Sequence, residues 1–145
     1  MSAFPHTVTV YNIISSLLLG DVLYCTVLHG VMLQASKGAN VRDTGLEGAD
    51  AATLFIPFDV DARDGATGAK KRYALPQEFF RASDRSDLWT LSYSGNGGTT
   101  FFVDGEFVTA NEDEARAHDG CYSVTKVDAM NYGSKAMQHW EVGGV

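Results

Sequence analysis

Apolar and polar residues alternate with a period of two along most of this chain, the spacing of strands with one buried face. Val8 and Val10, with Ile13 beyond them, alternate with Thr7, Thr9 and Asn12. Val22 to Leu28 and Val31 to Gln34 read as one long bent strand. His29-Gly30 is its bulge or bend, because an isolated glycine in a strand marks such a place. Thr53 to Ile56 is a short buried strand stopped by Pro57. Leu88 to Ser92 and Tyr122 to Asp128 alternate again, and Met137 to Val142 has the composition to close a sheet. Phe101 to Val108 sets Asp104-Gly105 between two apolar runs, which predicts a two-residue hairpin turn with both turn residues at positive φ. Gly95-Asn96-Gly97-Gly98 predicts a further turn. Ile13 to Leu19 is too short for its period to separate helix from strand.

Helical signals are confined to two places. Pro76 to Arg81 suits a single turn, with proline at the first position where its missing N–H costs nothing. Glu112 to His118 suits a short helix ended by Gly120. About seven or eight short strands, frequent glycines and little helix predict a mainly β fold, a small β-barrel or sandwich with long loops and one or two short helices. The expected organisation is a single domain over residues 1–145. Long loops are expected at about 35–50, which carries three glycines and little apolar period, and at 59–72, which is polar. The C-terminal residues 137–145 are expected to form an arm or a strand, since a chain end rich in Met, His and Trp needs something to dock onto.

Composition agrees with one folded domain: 45% of the residues are hydrophobic and 20% charged. The net charge of −7 opposes general nucleic-acid binding, which rests on Lys and Arg neutralising phosphates. It leaves room for DNA passing nearby, since an acidic wall would repel DNA and let it slide. No Lys or Arg precedes Lys37, so the apolar run before Cys25 lacks the positive flank of a signal peptide. No apolar stretch reaches the ~20 residues needed to cross a bilayer. Cys25 and Cys121 each sit among apolar residues and read as buried reduced thiols; a disulfide requires their strands to be neighbours.

Candidate chemistry is thin. Asp59-Val60-Asp61-Ala62-Arg63-Asp64-Gly65 suggests a calcium loop, but Arg63 and Asp64 fall where the third ligand and the glycine belong, and Lys70 falls where the glutamate belongs. The glycine run at 95–98 leads into a strand-like segment, not a phosphate-binding helix. The histidines at 6, 29, 118 and 139 show no metal-ligand spacing. Most aromatic residues lie inside apolar runs without basic neighbours, which reads as core and not as a base-stacking platform. Trp140, near the chain end, reads as an exposed interface anchor. No catalytic residue, metal or cofactor is expected, and the protein is expected not to be an enzyme.

Several segments carry a resemblance. Thr7 to Asn12, Tyr24 to Val31, Ser36-Lys37-Gly38, Ala51 to Phe58 and Met137 to Gly144 together resemble a family of proteins encoded in the structural gene clusters of siphophages and prophages. The layout is also similar to the stopper, or head-completion, proteins of the head–tail connector. Those open with a Thr-rich strand and a Tyr, carry a long loop, and continue into a strand ending in Ile-Pro. The resemblance implies a structural virion protein, made in the host bacterial cytoplasm and located in the neck. It implies a homo-oligomeric ring of about six or twelve copies. Portal and adaptor proteins would lie on its head side, the tail terminator and tail tube on its tail side. Genomic DNA would pass without sequence-specific binding, and no membrane is involved. By position, the early long loop would face the DNA channel, with Lys37, Gly38, Asn40, Arg42 and Asp43. Lys70, Lys71 and Arg72, with Met137, His139 and Trp140, would contact neighbouring subunits or a partner ring. A tail terminator or other tail-completion protein, or a virion-associated host-binding module, are the competing readings.

Overall fold

In the computed structural model, residues 5–16, 20–35, 52–92 and 100–145 are described. The expected turn at 95–98 and the early long loop beyond Ala35 lie outside them. Strand β1 runs His6–Ser16 and β2 Gly20–Ala35, so the described part of the ambiguous run after Ile13 is strand. The chain continues through β3 (Ala52–Pro57), β4 (Asp61–Asp64), β5 (Arg72–Tyr73), helix α1 (Pro76–Arg81), β6 (Leu88–Trp89) and β7 (Thr100–Asp104). It ends with helix α2 (Glu112–Arg116), β8 (Cys121–Met130), a 3-10 turn at Lys135–Met137 and β9 (His139–Gly144).

Six strands, β1-β7-β8-β9-β3-β2, close on themselves through the β1–β2 pairing into an antiparallel barrel. β4 is an additional strand along β2. Closure removes the open edges that make sheets associate indiscriminately. The bend in β2 lies where glycine predicts it. His6 pairs with Val31 and Thr7 with His29, so Gly30 is skipped, at φ 87°.

The alternation sorts side chains to two faces. Val8, Val10, Leu28, Leu54, Ile56, Phe102, Trp140 and Val142 point inward and fill the barrel, with Trp89 and Leu91 from the β6 segment packed among them. Tyr11, Phe101 and Val103, of opposite parity, point outward, and Ala115 of α2 and Phe107 cover them. A third cluster, Ala74, Phe79 and Leu88, packs with Ile14 and Tyr24 and joins α1 to the β1–β2 hairpin.

That outer cluster explains why the predicted Asp104-Gly105 hairpin does not form. Only Gly105 has positive φ, at 86°. Its N–H bonds to Thr7 O at 2.8 Å, and the Phe107 N–H bonds to Thr9 Oγ1 at 3.0 Å. The chain leaves β7 and crosses the outer face of β1, where Tyr11 donates a hydrogen bond to Phe107 O. Covering three large outward apolar residues outweighs extending a hairpin into solvent.

The polar stretch 59–72 also departs from expectation. Part of it is paired, with β4 on β2, the bridge Arg63 to Lys70, and Arg72 opening β5 beside β6. Asp64 makes this possible by accepting hydrogen bonds from the N–H groups of Ala66 and Thr67, which turns the chain back. Cys25 and Cys121 are both free. They lie on β2 and β8, which β1 and β7 separate, too far apart for a disulfide.

Candidate functional site

The expected channel residues Lys37, Gly38, Asn40, Arg42 and Asp43 lie outside the described residues, but the base of their segment is well defined. Ala35, the last residue of β2, is the register partner of Ala52, the first of β3. The end of β2 and the start of β3 therefore lie side by side. Ala52 also pairs with Gly144 at the end of β9, so the chain's C-terminal strand braces that point. Gly144 is required there. A Cβ at this position would sit 2.9 Å from Tyr122 Cβ and 3.2 Å from the Phe102 ring.

The basic trio separates into three environments. Lys70 is exposed. Arg72 is exposed and pairs with Glu78 of α1 at 3.2 Å. Lys71 is not a surface residue, which corrects its assignment to partner contacts. Its side chain is 1% exposed. The ammonium donates to Cys25 O at 3.2 Å and Thr26 Oγ1 at 3.0 Å, and pairs with Asp64 at 3.2 Å. Three donors thus meet three acceptors, the condition under which a charge is tolerated inside a protein. Burial alone would raise the Asp64 carboxyl. The hydrogen bonds from Thr67 and Lys71 outweigh it and hold the group below the usual carboxylate range. The neighbouring Cys25 thiol is pushed up by burial, as is Cys121. Such thiols stay protonated and are poor nucleophiles. Tyr11, close to Cys25, is also raised by burial. The group is a fastening between β2, β4 and the outer segment, and its chemistry is that of packing.

The C-terminal trio divides as well. Met137 is exposed, and His139 is half-buried, tilted against Phe55 at 5.8 Å and 3.8 Å from Glu141. Trp140 is not the exposed anchor its position suggests. It is 9% exposed and packs against Phe58, Tyr73 and Trp89, with ring centroids 4.6, 4.4 and 5.8 Å away. Strand parity determines this, since Trp140 shares the inward side with Val142 and is paired with Ile56. Its tryptophan partner Trp89 comes from a segment 51 residues earlier in the chain, a proximity that no local pattern encodes.

Among the described residues, no group of three His, Cys, Asp or Glu side chains could hold a metal ion. Asp61 pairs with Arg63 at 3.0 Å, and Asp64 with Lys71, so two of the three carboxylates of the calcium-like run are bound within the protein. No helix among the described residues is long and apolar enough to cross a membrane.

Residues 4–145 match the family of unknown function DUF6751. The chain belongs to this family. The DUF6751 match spans every strand of the barrel, from β1 through β9. No curated protein and no solved structure matches the chain.

Proposed function

We propose that this DUF6751 protein is a non-enzymatic structural component of a tailed bacteriophage. In this reading it is a head–tail connector stopper that forms a ring in the neck, retains packaged DNA and joins head to tail. The observation that carries the reading is the Ala35–Ala52 pairing. A stopper needs a rigid body from which one long segment reaches into the channel, and here β2 ends and β3 begins at a single braced point on a closed barrel, with residues 36–51 inserted between them in the sequence. The opening Thr-Val-Thr-Val-Tyr strand and the Ile56-Pro57 strand end flank that insertion in the order the resemblance requires. An overall charge of −7 favours a passage that does not grip DNA.

The test is to locate the protein in the particle. A chain carrying a small gold-binding tag after Val145, an exposed position, is supplied to the phage during infection. Label at the joint between head and tail is the expected result. Label at the tail tip or along the fibres would replace this reading with a host-binding module.

A further inference from the structure

We infer that Asp119-Gly120, in the turn between α2 and β8, is a self-modification site: the Gly120 nitrogen attacks the Asp119 side chain to close a cyclic imide, and His118 is the base that takes the nitrogen's proton. Nothing in this chemistry depends on a place in the neck.

Aspartate followed by glycine is the dipeptide in which such a ring closes most readily, because glycine has no Cβ to shield its nitrogen. The chain has three such pairs, Asp64-Gly65, Asp104-Gly105 and Asp119-Gly120. The fold treats them differently. The Gly65 N–H is bonded to Cys25 O at 3.0 Å, and the Gly105 N–H to Thr7 O at 2.8 Å. A carbonyl oxygen accepts a hydrogen bond but does not take up the proton. The Asp64 carboxylate is moreover held by Ala66, Thr67 and Lys71. At the third pair the Gly120 N–H is directed at an imidazole, with His118 Nδ1 3.0 Å away. That is the reach required of a general base. A ring nitrogen that accepts a hydrogen bond carries no proton, so this one is free to receive it.

His118 is fixed in that position. It is half-buried, its ring tilted against Phe107 at 5.2 Å. Its backbone is tied on both sides, the N–H to Ala115 O at 3.2 Å and the carbonyl to the Cys121 N–H at 3.2 Å. Asp119 is exposed, so water reaches the ring once it has formed. Among the described residues nothing binds its carboxyl. Gly120 is buried, and a Cβ there would stand 2.9 Å from Asp104 Cβ. Packing therefore demands glycine at this position, and with it comes the reactive pair.

In the reaction the Gly120 nitrogen forms a bond to Asp119 Cγ. The Cγ–OH bond of the protonated carboxyl breaks, and the nitrogen's proton passes through His118 to the departing hydroxyl, so one water leaves. No oxidant or co-reactant takes part. Water then opens the imide at Cγ, restoring aspartate, or at the main-chain carbonyl, giving isoaspartate and a longer backbone. The imide has no Gly120 N–H to give to His118. Isoaspartate lengthens the turn beside the bond from Asp104 N–H to Gly120 O, 3.0 Å long. Both products alter the junction that holds Ala115 of α2 over Tyr11, Phe101 and Val103.

The experiment incubates the folded full chain for several weeks at body temperature in mildly acidic buffer. Each Asp-Gly peptide is then scored by mass spectrometry, for loss of one water and, by fragmentation, for isoaspartate. The 119–120 pair is expected to react at least about tenfold faster than the other two. That lead is expected to vanish in urea, where His118 is no longer held beside Gly120. His118→Asn keeps an acceptor for the Gly120 N–H but removes the base, and circular dichroism verifies its fold. Its 119–120 rate is expected to fall at least about tenfold, with the rates at 64–65 and 104–105 unchanged. Equal rates at the three pairs of the folded chain, no product at 119–120, or a folded His118→Asn chain that reacts as fast as the unaltered one would overturn the assignment. If that variant does not fold, the ranking of the three pairs with and without urea decides by itself.

Discussion

At the scale of single residues, the informative feature is the asymmetry of the Lys71–Asp64 pair. The ammonium is 1% exposed and the carboxylate 22%. Removing the carboxylate strands a buried charge, whereas removing the amine leaves Asp64 still bound by the N–H groups of Ala66 and Thr67. Asp64→Asn is therefore expected to cost about 3 kcal/mol, and Lys71→Met only about 1–2 kcal/mol, both read from urea unfolding at neutral pH. The reverse order would show that the ammonium is not held as described. Gly144 supplies a second case. Its missing Cβ accommodates Tyr122 and Phe102, so Gly144→Ala is expected to lose about 1–3 kcal/mol through overpacking. No loss of stability in the same measurement would mean that the barrel closes more loosely there. Neither role was legible from the sequence. Lys71 lies in a Lys-Lys-Arg run that reads as a solvated surface, and only its neighbour Ala62, pairing with Leu28 on the inner side of β2, draws it inward.

At the scale of elements, strand periodicity carried most of the fold. The bend at Gly30, the turn of helix after Pro76, the short helix ahead of Gly120 and the C-terminal strand all stand where alternation and turn chemistry put them. The hairpin at Asp104-Gly105 does not, because local turn preference competed with uncovered outward aromatics that only the closed barrel brings together. Trp140 departs from expectation for a related reason: position near a chain end suggests exposure, while parity within β9 sets burial. The C-terminal stave is the element with the greatest consequence. β9 lies between β3 and β8 and contributes Trp140 and Val142 to the core. Deleting residues 137–145 opens the barrel and exposes two long edges. Loss of the cooperative thermal transition by circular dichroism, with aggregation, is the expected outcome. A soluble, cooperatively folding truncation would show that β9 is an accessory arm.

At the scale of the whole molecule, titration of buried groups sets the pH range of stability. Asp64 is depressed in the folded state, so its contribution is present above the unfolded value and is lost as pH falls through the folded one. Cys25, Cys121, Tyr11, Tyr73 and Tyr122 are all raised, chiefly by burial. Their contribution is complete below the unfolded values and is lost as pH rises above them. Melting temperature is therefore expected to be flat between about pH 5 and 8 and to fall on both sides. Asp64→Asn should flatten the acid side and Cys25→Ser part of the alkaline side. A melting temperature that rises above pH 9 would contradict the assigned burial.

The central claim, a stopper in the neck of a tailed phage, is tested most directly by electron microscopy of a lysate in which this gene has been inactivated. Heads that have lost their DNA, beside free tails of normal length, are the expected result. DNA-filled heads with overlong or unfinished tails would move the protein to the tail side of the joint. Intact virions that merely fail to adsorb would contradict a neck role altogether.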